Sequence, residues 1–189
     1  MVGGDQTRAF AGVAIAALSI LLLAGCADSS GGSGSSITLA QTKSPTQLLR
    51  NETASRVPTA VIDEVASSED TSIRCKTEKS DPKGIMRSWK SSVVINVEKG
   101  SAWRTKAVVD EMAASLVADG WEASKGFDSD VQFTLLTSKQ SSVGIELGAS
   151  QPAEGSDKDA SIVVTTTGPC VTTAGQDSAE IRDLENADD

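Results

Sequence analysis

Histidine and tyrosine are both absent from the 189 residues. Without histidine the chain lacks the commonest general base and the commonest metal ligand, and without tyrosine it lacks a phenolic acid. Basic residues are outnumbered, 17 Lys and Arg against 26 Asp and Glu, for a net charge of −9. No nucleic acid partner is expected, and anionic head groups are poor ones. Aromatic side chains make up only 3% of the chain. Trp89 and Trp121 fall in segments that read as half-buried, so core packing is the default for both. Trp103 sits in the first turn of a predicted helix and is the one best placed to stack on a ligand.

The chemistry that remains is thin. Ser124-Lys125 and Ser138-Lys139 are adjacent pairs, not the Ser-x-x-Lys spacing that sets nucleophile and base on one helix face. Asp128 with Asp130, and Asp157 with Asp159, lack the Gly and Glu positions of an EF-hand loop and read as turn-formers. Glu146 with Asp130 is a conceivable glycosidase pair that nothing in the pattern singles out. Asn51-Glu52-Thr53 matches the glycosylation acceptor, a coincidence if it lies on a helix. No catalytic residue, metal ligand or cofactor is expected.

What is present begins with an apolar run, Ala9 to Gly25, that closes on Leu23-Ala24-Gly25-Cys26. These four residues resemble the lipobox of bacterial lipoproteins. As a helix the run is roughly 25 Å long, short of the ~30 Å hydrocarbon core. The Ser/Gly-rich stretch after Cys26 supplies no Lys or Arg as a stop-transfer flank. Ahead of the run stand only Arg8 and the terminal amine as positive charges, and a twin-Arg signal is absent. The resemblance implies that residues 1–25 are a signal peptide and that Cys26 Sγ is joined to a diacylglycerol. The mature chain is then held by that lipid at the extracytoplasmic face of the cell membrane.

After such cleavage the length is that of one domain. Residues 26–43, centred on SSGGSGSS, read as the lipidated Cys and a flexible tether with a mean reach of roughly 20–25 Å. Residues 44–174 form the domain. Residues 175–189 carry Asp177, Glu180, Asp183, Glu185, Asp188 and Asp189 against Arg182 alone and read as a disordered acidic tail. Within it, Ile181 and Leu184 have the spacing of a short helix that would form on a partner.

Inside the domain, Ser44-Pro45 opens a helix with a stripe of Leu48, Leu49, Val57, Val61, Ile62 and Val65. Pro58 imposes a kink or a break within residues 45–67. A short strand over 71–77 carries Cys75, and Asp81-Pro82-Lys83-Gly84 is a turn. Over 87–97, Trp89, Val93, Ile95 and Val97 alternate as a strand with one buried face. A second helix spans 101–119, with Ser101 as N-cap, Gly120 past its end and a core stripe of Val109, Met112, Ala113 and Leu116. Strands follow over 121–125, 131–137, 143–147 and 161–167. The order α-β-β-α-β-β-β-β predicts an α+β fold, an antiparallel sheet with both helices packed on one face. The second helix is expected to meet Val93, Ile95, Trp121 and Phe133.

This succession is similar to a group of small uncharacterised actinobacterial lipoproteins. The likeness rests on the lipobox, a first helix, the strand with Cys75, a helix ending in Asp119-Gly120-Trp121, a meander of strands and a closing Thr167-Gly168-Pro169-Cys170-Val171, and covers most of residues 44–171. Gly168 is an addition to the group's Thr-Pro-Cys. The resemblance implies a disulfide from Cys75 to Cys170 and implies no activity. The residues favour the same pair: once Cys26 is lipidated, two cysteines remain in a compartment that permits disulfides. Closing a loop of roughly 95 residues contributes about 4–5 kcal/mol in the chain-entropy model. A redox or metal pair would instead call for Cys-x-x-Cys spacing or neighbouring histidines.

The function expected from these features is that of a membrane-tethered, non-enzymatic envelope module. It would bind an unknown envelope protein or ligand by its sheet face or a helix groove. The alternative is a lipid or glycolipid carrier, with a hydrolase behind both. A continuous apolar cavity would favour the carrier, a filled core the binding module.

Overall fold

Thr38 and Gln41 start the first helix with a capping box. The Gln41 amide donates to Thr38 Oγ1 at 3.4 Å, and the Thr38 amide donates to Gln41 Oε1 at 2.9 Å. The helix, α1, is Leu39–Ala54 in a computed structural model that describes residues 37–98, 104–125, 132–138, 142–152 and 159–186. The expected signal peptide and lipidation site Cys26, together with Ser101, Trp103, Asp128, Asp130, Lys139 and Asp157, lie outside these residues. Ser35–Asp189 is one compact unit.

Two expectations need correction at this end. Residues 39–43, read as tether, are the first turn of α1, because the Thr38-x-x-Gln41 box starts the helix ahead of Ser44-Pro45. Pro45 therefore lies inside the helix, where it has no amide hydrogen to return to the Gln41 carbonyl. The apolar residues after Pro58 do not continue an α-helix. Thr59–Val61 is a single 3₁₀ turn, and Ile62–Arg74 is a long strand, β1.

Beyond it run β2 (Met86–Val97), α2 (Thr105–Ala118), β3 (Trp121–Lys125), β4 (Gln132–Ser138), β5 (Gly144–Ser150), β6 (Ser161–Thr167), β7 (Val171–Thr172) and α3 (Ala179–Asn186). The strands form one antiparallel sheet of order β1-β2-β6-β5-β4-β3, with β7 pairing the start of β2. The fold is α+β in the expected order through β6. After β2 the chain crosses the sheet by way of α2, then meanders back until β6 pairs β2, Ile95 opposite Ile162 and Val93 opposite Val164.

Alternation decides which face is buried. Trp89, Ser91, Val93, Ile95 and Val97 of β2, Ile162, Val164 and Thr166 of β6, and Ile145, Leu147 and Ala149 of β5 all point to the helices. Val108, Val109, Met112, Ala113 and Leu116 of α2 close over them, while Lys106, Asp110 and Glu111 are exposed. Each fully buried aliphatic side chain is worth about 1.5–3 kcal/mol. Gly120 ends α2 at φ 97°, the left-handed conformation glycine adopts without strain. Phe133 is not in this layer: its ring lies over Gly148 on the opposite face, 3.0 Å from where a Cβ would stand. It pairs with Gly148 of β5, where the missing side chain leaves room for the ring.

Under α1 the contact is small and polar. Thr42, Thr46 and Thr53 are its buried residues with Leu39, and the Thr166 hydroxyl donates to the Thr46 carbonyl at 2.8 Å. Gly168 permits this approach, since a Cβ there would come within 2.7 Å of Thr46 Oγ1. Cys75 and Cys170 are bonded, with Cα atoms 6.1 Å apart, and staple the end of β1 to the segment entering β7.

Candidate functional site

Helix α1 has two flanks. On one, Leu39, Trp89, Val171 and Ile181 form a buried cluster with Leu184 against it. This corrects the reading of residues 175–189 as a disordered tail: through Asn186 they form a docked helix. The acidic composition concealed three anchors. Ile181 is 2% exposed. Glu185 Oε1 accepts from the Ser72 amide at 2.9 Å, the Ser72 hydroxyl at 2.8 Å and the Thr71 hydroxyl at 3.2 Å. Lys43 Nζ donates to the Leu184 carbonyl at 2.8 Å while lying 4.8 Å from the centre of the Trp89 ring, a cation at the end of a helix where the dipole favours one.

The Ser72 hydroxyl also accepts from Arg87 Nε at 3.0 Å. Burial pushes the Arg87 guanidinium below its usual value, and the Glu185 carboxylate opposes that shift. Burial pushes the Glu185 carboxyl up, and the Ser72 and Thr71 hydrogen bonds outweigh it, so the group titrates below the usual glutamate value. A serine hydroxyl donating to a carboxylate is the geometry of a nucleophile with its base. Here Ser72 is 5% exposed and sealed under α3, with no room for a substrate, so the arrangement holds the helix.

The other flank is open. Ile37, Pro45, Leu49, Trp121, Val143 and Pro169 line a groove of about 290 Å³ between α1 and the strand ends beyond α2, completed by Gln41, Thr42 and Thr46. Among the described residues, no charged side chain lines it. Its hydroxyl protons are already engaged, Thr42 Oγ1 donating to the Leu39 carbonyl and Thr46 Oγ1 to the Thr42 carbonyl, both at 2.7 Å, and Gln41 Oε1 belongs to the capping box, which leaves the Gln41 side-chain NH2 as the polar donor at the rim. Ile37 is 57% exposed at the mouth. A second dip of about 360 Å³, lined by Leu135, Glu146 and Thr167, lies on the uncovered sheet face.

Among the described residues, the sequence-predicted side chains are not brought together into a reactive site. Trp89 is buried with its indole N–H donating to Asp70 at 3.2 Å, and Trp121 is half-buried in the groove. Ser124 Oγ donates to the Leu135 carbonyl at 3.4 Å, and Glu146 and Asp159 are exposed. The chain does contain one Ser-x-x-Lys spacing that sequence reading passed over, Ser80 to Lys83, but it lies in a turn and Ser80 Oγ donates to the Thr77 carbonyl at 3.0 Å. Asp81 beside it accepts from the Ile85 amide at 3.0 Å and the Met86 amide at 2.7 Å, which hold its carboxyl below the usual value. Among the described residues, no three His, Cys, Asp or Glu gather as a metal site and no helix is long and apolar enough to cross a membrane. A helix groove is expected from the sequence, but not its residues, because its walls come from segments far apart in the chain; Pro45 inside α1 is the one local signal. No protein-family profile, curated protein or solved structure matches the chain.

Proposed function

We propose that the chain is an envelope lipoprotein anchored through lipid on Cys26 at the extracytoplasmic face of the membrane, and that it performs no chemistry of its own but holds a ligand in the α1 groove. The observation that carries the binding reading is the inequality of the two flanks of α1: one is sealed by α3, and the other presents an uncharged apolar groove to solvent. Pockets that hold small ligands start at about 300 Å³, so this groove takes part of a molecule. The filled interior beneath the helices speaks against the alternative, a carrier that encloses a whole lipid or glycolipid.

Two measurements test the two halves. Mass spectrometry of the membrane-derived protein should find a mature chain beginning at a diacylglyceryl-modified Cys26; an unmodified Cys26 removes the anchor. A photoreactive residue in place of Gln41 should give adducts in the native envelope that the same residue at Glu111, on the exposed side of α2, does not. Equal labelling at both positions removes the groove as a binding site.

A further inference from the structure

We infer that the groove of α1 takes a single acyl chain of a membrane lipid, leaving the head group outside. The inference rests on reading the groove as the binding site of an anchored domain, and it names the ligand class. Its first support is what the lining offers. Ile37, Pro45, Leu49, Trp121, Val143 and Pro169 are apolar, and the hydroxyls of Thr42 and Thr46 are spent on their own helix. A sugar, a nucleotide or a charged peptide end would leave its polar groups unpaired on such a floor. A hydrocarbon chain loses nothing there.

Size comes next. About 290 Å³ suits one chain and does not suit a helix, which is about 10 Å across with its side chains. The chain treats the opposite flank differently: there an amphipathic helix is accommodated, and it arrives with polar anchors at Ser72 and Lys43. Among the described residues the groove provides no charged anchor.

Position is the third support. Ile37 at the groove mouth stands eleven residues after Cys26, a separation that spans at most about 40 Å of chain. With lipid on Cys26, the mouth cannot leave the neighbourhood of the bilayer surface.

The test uses the full-length lipidated protein, reconstituted into phosphatidylcholine vesicles in which one acyl chain carries a photoactivatable diazirine. After irradiation, adducts should concentrate on Gln41, Pro45, Trp121 and Val143. They should fall about tenfold in Ile37→Asp and in Leu49→Asp, where a carboxylate must be desolvated to admit a chain. Leu48→Asp is the control, because Leu48 is 67% exposed on the same helix and does not line the groove; its labelling should match the parent. Ile37 is itself exposed, so Ile37→Asp keeps the test valid if Leu49→Asp fails to fold. Adducts spread evenly over Leu48, Val117 and Leu135, or groove adducts undiminished in Ile37→Asp, overturn the inference. The Cys26 peptide in the same digest reports the anchor separately. A lipidated Cys26 with an unlabelled groove overturns the acyl-chain assignment alone, and more firmly if the groove cross-links a neighbouring protein in native membranes. A labelled groove on a chain without lipid at Cys26 supports the acyl chain and overturns the anchor.

Discussion

On one flank of α1, Leu39 packs with Trp89, Val171 and Ile181, and the indole N–H, the Ser72 amide and the Leu184 carbonyl all find partners. On the other, Ile37, Leu49 and Trp121 line a groove that stays open among the described residues. Both flanks hold a tryptophan and aliphatic residues, so composition alone does not separate them. The difference lies in what the chain supplies to cover each. Sealing the first took a third helix, a disulfide at Cys170 leading into it, and a half-buried carboxylate with three hydrogen bonds. Among the described residues nothing comparable reaches the second flank, and an apolar groove beside a sealed core is where a partner molecule gains most from burial.

Denaturant melts of residues 35–189 can break this comparison at its strongest point. Trp89→Ala should cost about 3–5 kcal/mol, as expected for a fully buried aromatic, while Trp121→Ala, half-buried, should cost about 1 kcal/mol and leave the fold intact. Equal losses would mean that the groove is part of the core. Backbone substitutions come next in size. Gly175 has φ 107° and a Cβ there would stand 2.9 Å from the Lys83 carbonyl oxygen, so Gly175→Ala should destabilise the approach to α3 by about 1–3 kcal/mol, visible as faster hydrogen exchange at Ile181.

Acid should loosen the sealed flank first. Glu185 and Asp81 titrate below their usual values in the folded protein. Their stabilisation is thus complete above the unfolded carboxylate values, near pH 4, and is lost as pH falls through the lower folded values. Near-ultraviolet circular dichroism at Trp89 should hold from pH 7 to about 5 and decline below about 4. Glu185→Gln should be less stable than the parent at neutral pH, with the difference shrinking as pH falls; a constant difference would show that the carboxylate charge is not what holds α3. The smallest effects belong to the exposed helix faces, where Leu48→Ser and Glu111→Ala should both stay within about 0.5 kcal/mol.

How far the sequence could be read follows the same division. Regular alternation in β2 and β6 and the three-and-four spacing of Met112 and Leu116 were legible because one face of each element meets the core directly. β1 was legible only at its cysteine end, because at the sheet edge residues 63–69 are exposed on both faces and leave no alternation to read. The start of α1 was misplaced by six residues, more than one and a half turns, because its buried face is threonine rather than leucine and its start is marked by a capping box inside a Ser/Thr-rich stretch. In α3, carboxylates looked like a reason for solvation, yet Glu185 is the group that docks the helix. The groove was hidden for a different reason: Ile37, Trp121, Val143 and Pro169 come together only once α2 has crossed the sheet and the meander has returned.

The most direct test of the open flank follows the indole N–H resonances of Trp89 and Trp121 in ¹⁵N-labelled residues 35–189 as dodecanoate is added below its micelle concentration. The Trp121 signal should move saturably and the Trp89 signal should not move. If neither shifts, or if both shift together, α1 does not have one sealed flank and one flank made for an apolar chain.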